Sequence, residues 1–166
     1  MIVHCVVVGG DSACSHVLCV CVLFLRMSWD GYILNLMAPT ASGKIVTSEA
    51  AICGIECLSV WAATQGYRSI STDEIRTLVG SRNNFSSCGP KVAGIKTMLL
   101  VDKMDDETAY SLNLKTVTDT DGQRYNLCVG KSLKALLVLK GVVGDVGGDL
   151  SAKMFTMVDY LKKNNM

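Results

Sequence analysis

Histidine supplies general-base chemistry at neutral pH, and this chain has only two, His4 and His16. Both precede residue 27, so residues 27–166 contain no imidazole for a Ser-His or Cys-His nucleophile. Asp105 and Asp106 are adjacent carboxylates in a turn-like run and read as solvated rather than as an acid–base pair. The glycines from Gly141 to Gly148 lack the Gly-Lys-Ser/Thr ending of a phosphate loop. A metal site would have to draw on His4, Cys5, Cys14, His16, Cys19 and Cys21, whose spacing matches no paired Cys-x-x-Cys arrangement. No catalytic residue, metal ligand or cofactor is therefore assigned, and the expected role is binding.

The residues with the most pronounced pattern are aromatic. Ser28 stands before Trp29-Asp30-Gly31-Tyr32-Ile33-Leu34-Asn35-Leu36 as a helix N-cap would. Trp29, Tyr32, Ile33 and Leu36 then fall on one helical face. The second tryptophan, Trp61, lies in the strand-like run Ser59-Val60-Trp61-Ala62-Ala63. From spacing alone these rings read as core residues at least as readily as a binding face.

At 166 residues the chain suits one domain with a real core. Its 16 basic and 15 acidic residues leave a net charge of +1, which argues against a nucleic-acid partner. Four of the eight cysteines precede residue 27. The others, Cys53, Cys57, Cys88 and Cys128, lie mostly in apolar or strand-like context and are expected to be reduced core-filling residues. A redox- or metal-responsive use of the cysteines is the reading from another class. Residues 1–26 end in an apolar run of signal-peptide length, too short for a bilayer span, without a basic n-region or a small-residue cleavage site. They are expected to lie outside the fold, with translation starting at Met27.

The elements that must position the aromatics follow in order. A helix over Trp29 to Met37 stops before Pro39. Strands are expected over Ser48 to Glu56 and Leu58 to Ala63, as a hairpin. Ser71-Thr72-Asp73-Glu74 is a capping box for a helix expected to end in a left-handed Gly80. Val92 to Asp102 and Tyr110 to Val117 read as antiparallel strands around an acidic turn at Asp105-Asp106-Glu107. Asp121-Gly122 signals a tight turn between Leu112/Leu114 and Tyr125/Leu127/Val129. Ala135 to Leu139 reads as a central strand covered on both faces. Gly141, Gly144, Gly147 and Gly148 read as a loop before a last helix capped by Asp149, with Met154, Met157, Val158 and Leu161 on its apolar face and Lys162 and Lys163 at its cation-favouring end. Strands grouped between terminal helices give an α+β class.

The early tryptophan helix, the Ser-Val-Trp-Ala-Ala strand and the C-terminal helix together resemble a profilin over roughly residues 27–166. The resemblance implies a central antiparallel sheet with the N- and C-terminal helices packed side by side on one face, and a cytoplasmic, cytoskeletal, monomeric protein. It implies a groove for proline-rich proteins made of Trp29, Tyr32, Trp61 and Tyr160. Met166 stands there where the family often ends in tyrosine. A polyproline II ligand is already extended and offers flat rings, which suits an aromatic groove with polar tips.

The resemblance also implies a second surface for monomeric actin, with Lys96, Lys115, Asn126 and Gly148 keeping suitable chemistry and Arg124 as a further contact. At that surface Val101, Val117, Ala152, Val146, Thr156 and Met98 stand where the family usually has charged or polar residues, so weakened actin binding is expected. A divergent profilin-fold adaptor with the proline groove and little actin affinity is the alternative. Anionic phosphoinositides are the third implied partner, through Lys96, Lys115, Lys153, Lys162 and Lys163. The resemblance implies acceleration of nucleotide exchange on actin by population shift rather than by chemistry on a substrate.

Overall fold

The computed structural model describes residues 29–118, 122–145 and 147–166. The segment 1–26, Ser28 as a cap, Asp121 of the expected turn and Val146 lie outside the described residues.

The chain forms helix α1 over 29–37, then strands β1 (Thr47–Gly54) and β2 (Val60–Ala63), helix α2 (Thr72–Val79), strands β3 (Lys91–Val92), β4 (Ile95–Lys103), β5 (Ser111–Thr116), β6 (Asn126–Lys131) and β7 (Ala135–Gly141), and helix α3 (Gly148–Lys163). The strands make a seven-stranded sheet in the order β2-β1-β7-β6-β5-β4-β3, with every neighbouring pair antiparallel. This is the α+β class expected, with a central antiparallel sheet.

Strand β7 is an interior strand of the sheet, and its alternation explains why the apolar run Ala135 to Leu139 is continuous. Leu136 and Val138 enter one core, with α2 residues Ile75 and Leu78. Ala135, Leu137 and Leu139 enter the other, with Ile33 and Leu36 of α1 and Leu150, Met154, Met157, Val158 and Leu161 of α3. Both faces are covered, so neither needs polar residues. The two terminal helices therefore share one face of the sheet, and Lys153 of α3 donates to the Ala38 carbonyl just past α1.

Several local expectations hold. Ser71 accepts from the Glu74 amide at 3.3 Å and Glu74 accepts from the Ser71 amide at 2.9 Å, which completes the capping box. Glu74 also accepts from the Gly94 amide at 2.7 Å and so ties α2 to the β3–β4 turn.

Others are corrected. Gly80 is extended (φ −78°, ψ −154°) rather than left-handed. The last helix is capped by Gly147 (φ +83°), not by Asp149; Asp149 lies in the first turn and pairs with Lys44 at 2.9 Å. Gly141 belongs to β7, and Gly148 opens α3. Cys53 and Cys128 are buried as expected, but Cys57 and Cys88 are exposed. Burial pushes both Cys53 and Cys128 up to about 12.

The single strand expected over Val92 to Asp102 is two strands. Val92 pairs with Ile95, so Ala93 and Gly94 form a two-residue turn with φ +51° and +79°. Positive φ at both central positions belongs to the hairpin turn whose twist matches its strands, and alanine is a poor resident there. Ala93→Gly is expected to raise stability by about 1 kcal/mol, seen as a higher denaturant midpoint at unchanged slope. A lower midpoint would contradict the strain assigned to Ala93.

Candidate functional site

An aromatic row lies where α1, α3 and the edge strand β2 meet. The i, i+3 spacing on α1 brings Trp29 and Tyr32 to ring centroids 5.5 Å apart. Trp61, carried on β2, stands 4.7 Å from Trp29. Tyr160, on the last turn of α3, stands 6.1 Å from Tyr32. The row thus runs Trp61, Trp29, Tyr32, Tyr160. These separations are those of favourable tilted aromatic pairs. Trp29, Tyr32 and Met166 also pack against the core shared by α1 and α3, so the row has a fixed floor. Trp61 remains 36% exposed and Tyr160 50% exposed. Four of the five residues expected at the groove form this row, and the fifth, Met166, packs against the core beneath the two helices. Burial, and then the hydrogen bond to Tyr160, raise the Tyr32 phenol above its ordinary pKa, so its hydroxyl tip stays protonated at neutral pH.

Beside Trp61 the surface dips into a depression lined by Asp30, Val60, Ala62, Ala63 and Arg68. At the other end Leu133 is exposed, and its amide donates to the Met166 carbonyl at 3.0 Å, which anchors the chain end beside the row. Nothing in the local pattern around Leu133 marks it, because only the closed fold brings the β6–β7 turn to the C-terminus.

The second candidate surface lies about 18 Å away along α3, at 1.5 Å per residue from Tyr160 back to Gly148. There the sheet register sets Met98 opposite Lys115 and Lys115 opposite Asn126, a row across β4, β5 and β6. Asn126 donates through Nδ2 to the Asp145 carbonyl at 2.5 Å and so holds the loop before α3. Asp145 is buried; its carboxylate accepts from the Gly147 amide at 2.9 Å and lies 3.8 Å from the Lys44 ammonium. This Lys44–Asp145–Asp149 group was not legible from the sequence, because Lys44 is about a hundred residues from the two aspartates. A cavity of about 270 Å³ opens here, lined by Leu100, Val101, Asn126, Gly147, Gly148 and Leu150 among others.

Lys96 is exposed on β4 next to this row, and Lys115 is half-buried in it. Arg124 stands beyond the start of β6 and donates to Thr118 at 2.8 Å, outside the row. The apolar departures are prominent: Met98 is 43% and Val101 44% exposed. Val117 is also exposed, and Ala152 and Thr156 line a shallow cavity beside α1.

The lysines expected to meet phosphoinositides are dispersed. The Lys153 ammonium is held by the Ala38 carbonyl, and burial draws its pKa down. Lys162 lies 3.6 Å above the Tyr110 ring. Lys163 pairs with Asp159 at 2.7 Å.

Among the described residues no group of three or more His, Cys, Asp or Glu is placed to hold a metal ion, and no helix is long and apolar enough to cross a membrane.

A profilin family model matches residues 27–166. Profilin-1 of Homo sapiens is 31% identical over 140 residues, covering 82% of this chain and 96% of that one. Profilin-2 of Rattus norvegicus is 30% identical over 138 residues, covering 81% of this chain and 95% of that one. Among solved structures, mouse profilin IIa in complex with a double repeat from the FH1 domain of mDia1 superposes with a TM-score of 0.75 at 30% identity, over 84% of this chain and 99% of that one. Acanthamoeba castellanii profilin IA shares the fold, with a TM-score of 0.64 at 20% identity over 84% of this chain and all of that one. With its sheet order, its paired terminal helices and its sequence agreeing from residue 27 to the last, this chain belongs to the profilin family.

Proposed function

We propose that this chain is a monomeric, cytoplasmic actin regulator without catalytic activity of its own, binding proline-rich proteins at the aromatic row and monomeric actin at the surface around Lys115, Asn126 and Gly148. The observation that carries the reading is the row itself: four rings within 4.7–6.1 Å of their neighbours, on a packed floor, with a half-exposed tyrosine at one end and an exposed tryptophan edge at the other. A ligand that is rigid, flat-ringed and short of donors suits such a groove. The complex of mouse profilin IIa with a double repeat from the FH1 domain of mDia1 supports the same reading.

The actin half rests on family membership and on the row Lys115, Asn126 and Gly147–Gly148. Met98 and Val101 favour a second reading in which the groove is retained and actin affinity is low. Each ionic contact replaced by an apolar side chain removes on the order of 1–2 kcal/mol if it was a hot spot. Titrating the chain into actin monomers while following release of a fluorescent nucleotide tests this directly. Saturable acceleration, weaker than that of a vertebrate profilin, is the expected result. No acceleration, with proline-peptide binding intact, selects the groove-only adaptor.

Anionic phosphoinositides are a further proposed ligand, meeting Lys96 and Lys115 first. Lys153, Lys162 and Lys163 would have to leave the carbonyl, ring and carboxylate that hold them. Such binding falls as salt rises.

A further inference from the structure

The indole of Trp61 has one hydrogen-bond donor, and it is already engaged. Nε1 donates to Cys57 Sγ at 3.2 Å, and the same sulfur is hydrogen-bonded with Ser59 Oγ at 3.0 Å. The chain reverses between β1 and β2 with Leu58 at φ +49°, and the Gly54 amide donates to the Ser59 carbonyl at 2.8 Å to close the reversal. That geometry carries Cys57 back over Gly54. A Cβ on Gly54 would lie 2.5 Å from Trp61 Cζ2 and nearer still to Cys57 Sγ, so the bare backbone there is what leaves room for the sulfur and the indole edge together. The same ring lies 4.7 Å from that of Trp29. Ser59 first, and Trp61 after it, also pull the Cys57 thiol below its ordinary pKa, as expected of a sulfur that accepts hydrogen bonds.

We propose that Cys57 is a positioning residue for the proline-rich ligand. It takes up the only N–H of Trp61 and fixes the ring against Trp29, so that the row offers the ligand a preset aromatic face. The ligand's carbonyls are left to the other donors of the row, the Trp29 indole N–H and the phenol tips of Tyr32 and Tyr160. An indole on a short edge strand without that tether would sample several orientations, and the ligand would have to freeze them on binding. The inference rests on the proline-groove reading, which binding of the unaltered chain tests separately.

The experiment compares the full chain with Cys57→Ala, Cys57→Ser and Gly54→Ala, by calorimetric titration with a proline-only peptide and by the indole N–H resonances of the free proteins. Trp61→Phe assigns the Trp61 signal. In Cys57→Ala that signal is expected to move upfield and exchange faster with water, while the backbone amides of α1 and α3 stay in place, and Kd is expected to rise about fivefold, the worth of one modest hydrogen bond. Cys57→Ser supplies an oxygen acceptor and is expected to restore both the resonance and the affinity to within about twofold. Gly54→Ala is expected to weaken binding by displacing the indole; if it fails to fold, the Cys57 pair still decides.

Unchanged affinity in Cys57→Ala, or tighter binding because the freed N–H serves the ligand, overturns the proposal. So does Cys57→Ser behaving like Cys57→Ala, which would assign the effect to sulfur bulk. Failure of the unaltered chain to bind the peptide overturns the groove reading and this proposal with it. Retained binding with no Cys57 effect overturns the clamp alone.

Discussion

Replacing Trp29 with alanine is expected to remove measurable binding of proline-rich peptide while leaving the domain folded. Trp29 is an inner member of the row: its ring lies 4.7 Å from Trp61 and 5.5 Å from Tyr32. Its loss takes away one ring face and separates the two halves of the groove. Buried aromatic anchors at interfaces are worth about 2–4 kcal/mol, which is a loss of roughly 30-fold to nearly 1,000-fold in affinity. Tyr160 stands at the open end with half its surface in water, so Tyr160→Ala should cost less. Trp29 contributes to the core only with its inner side, since it packs against the buried cluster without belonging to it. Full burial of such a residue would cost 3–5 kcal/mol on truncation; a partly exposed one costs less, and the fold survives. Trp29→Phe keeps a ring on the floor and should retain part of the affinity. Peptide titration by calorimetry, with circular dichroism to confirm folding, checks the expectation. Affinity equal to that of the unaltered chain would remove the aromatic row from the binding site.

The aromatic row was legible in part because its residues carry local signatures. Trp29 and Tyr32 are three apart on an amphipathic helix, and Trp61 sits in a short strand bounded by turn residues. Tyr160 could be placed only through the family resemblance, because its approach to Tyr32 depends on the packing of α1 beside α3. The Cys57–Trp61 bond was not legible at all. It exists because Leu58 adopts a left-handed conformation, which a β-branched or γ-branched residue does not advertise. The same blindness hid the Ala93–Gly94 turn, where only the glycine is typical. Asp149 looks like a cap in sequence, yet Gly147 reaches the left-handed conformation that ends the loop, and Asp149 is left free to pair with Lys44. At the second surface, the lysines were visible as residues, but the row that Lys115 joins was not. Register alone sets Met98, Lys115 and Asn126 side by side, and register follows from the bulge between Leu99 and Val101 and from the turns.

Helix α3 joins the two candidate surfaces: Gly148 stands at its first residue and Tyr160 near its last. A change under the helix should therefore disturb both. Gly130 of β6 is the position to use. A Cβ there would lie 2.5 Å from Met154 Sδ and 2.7 Å from Val158 Cγ2, and both side chains are buried in the α1–α3 core. Met154 is flexible enough to yield to a methyl group, but Val158 is stiff about its first side-chain torsion, so a branched residue must push the helix outward. Gly130→Val is expected to cost about 1–3 kcal/mol, a fall in the thermal midpoint of several degrees for a domain of this size. The functional loss should exceed the loss of folded protein. Lifting α3 draws Tyr160 away from Tyr32 at one end and shifts the Gly147–Asn126 corner at the other. Below the midpoint, the folded variant is thus expected to bind both a proline-only peptide and actin monomers more weakly than the unaltered chain, with Gly130→Ala intermediate. If Gly130→Val lowers stability but leaves both affinities intact in the folded protein, α3 does not set the geometry of either surface, and the rows at its two ends owe their arrangement to the sheet alone.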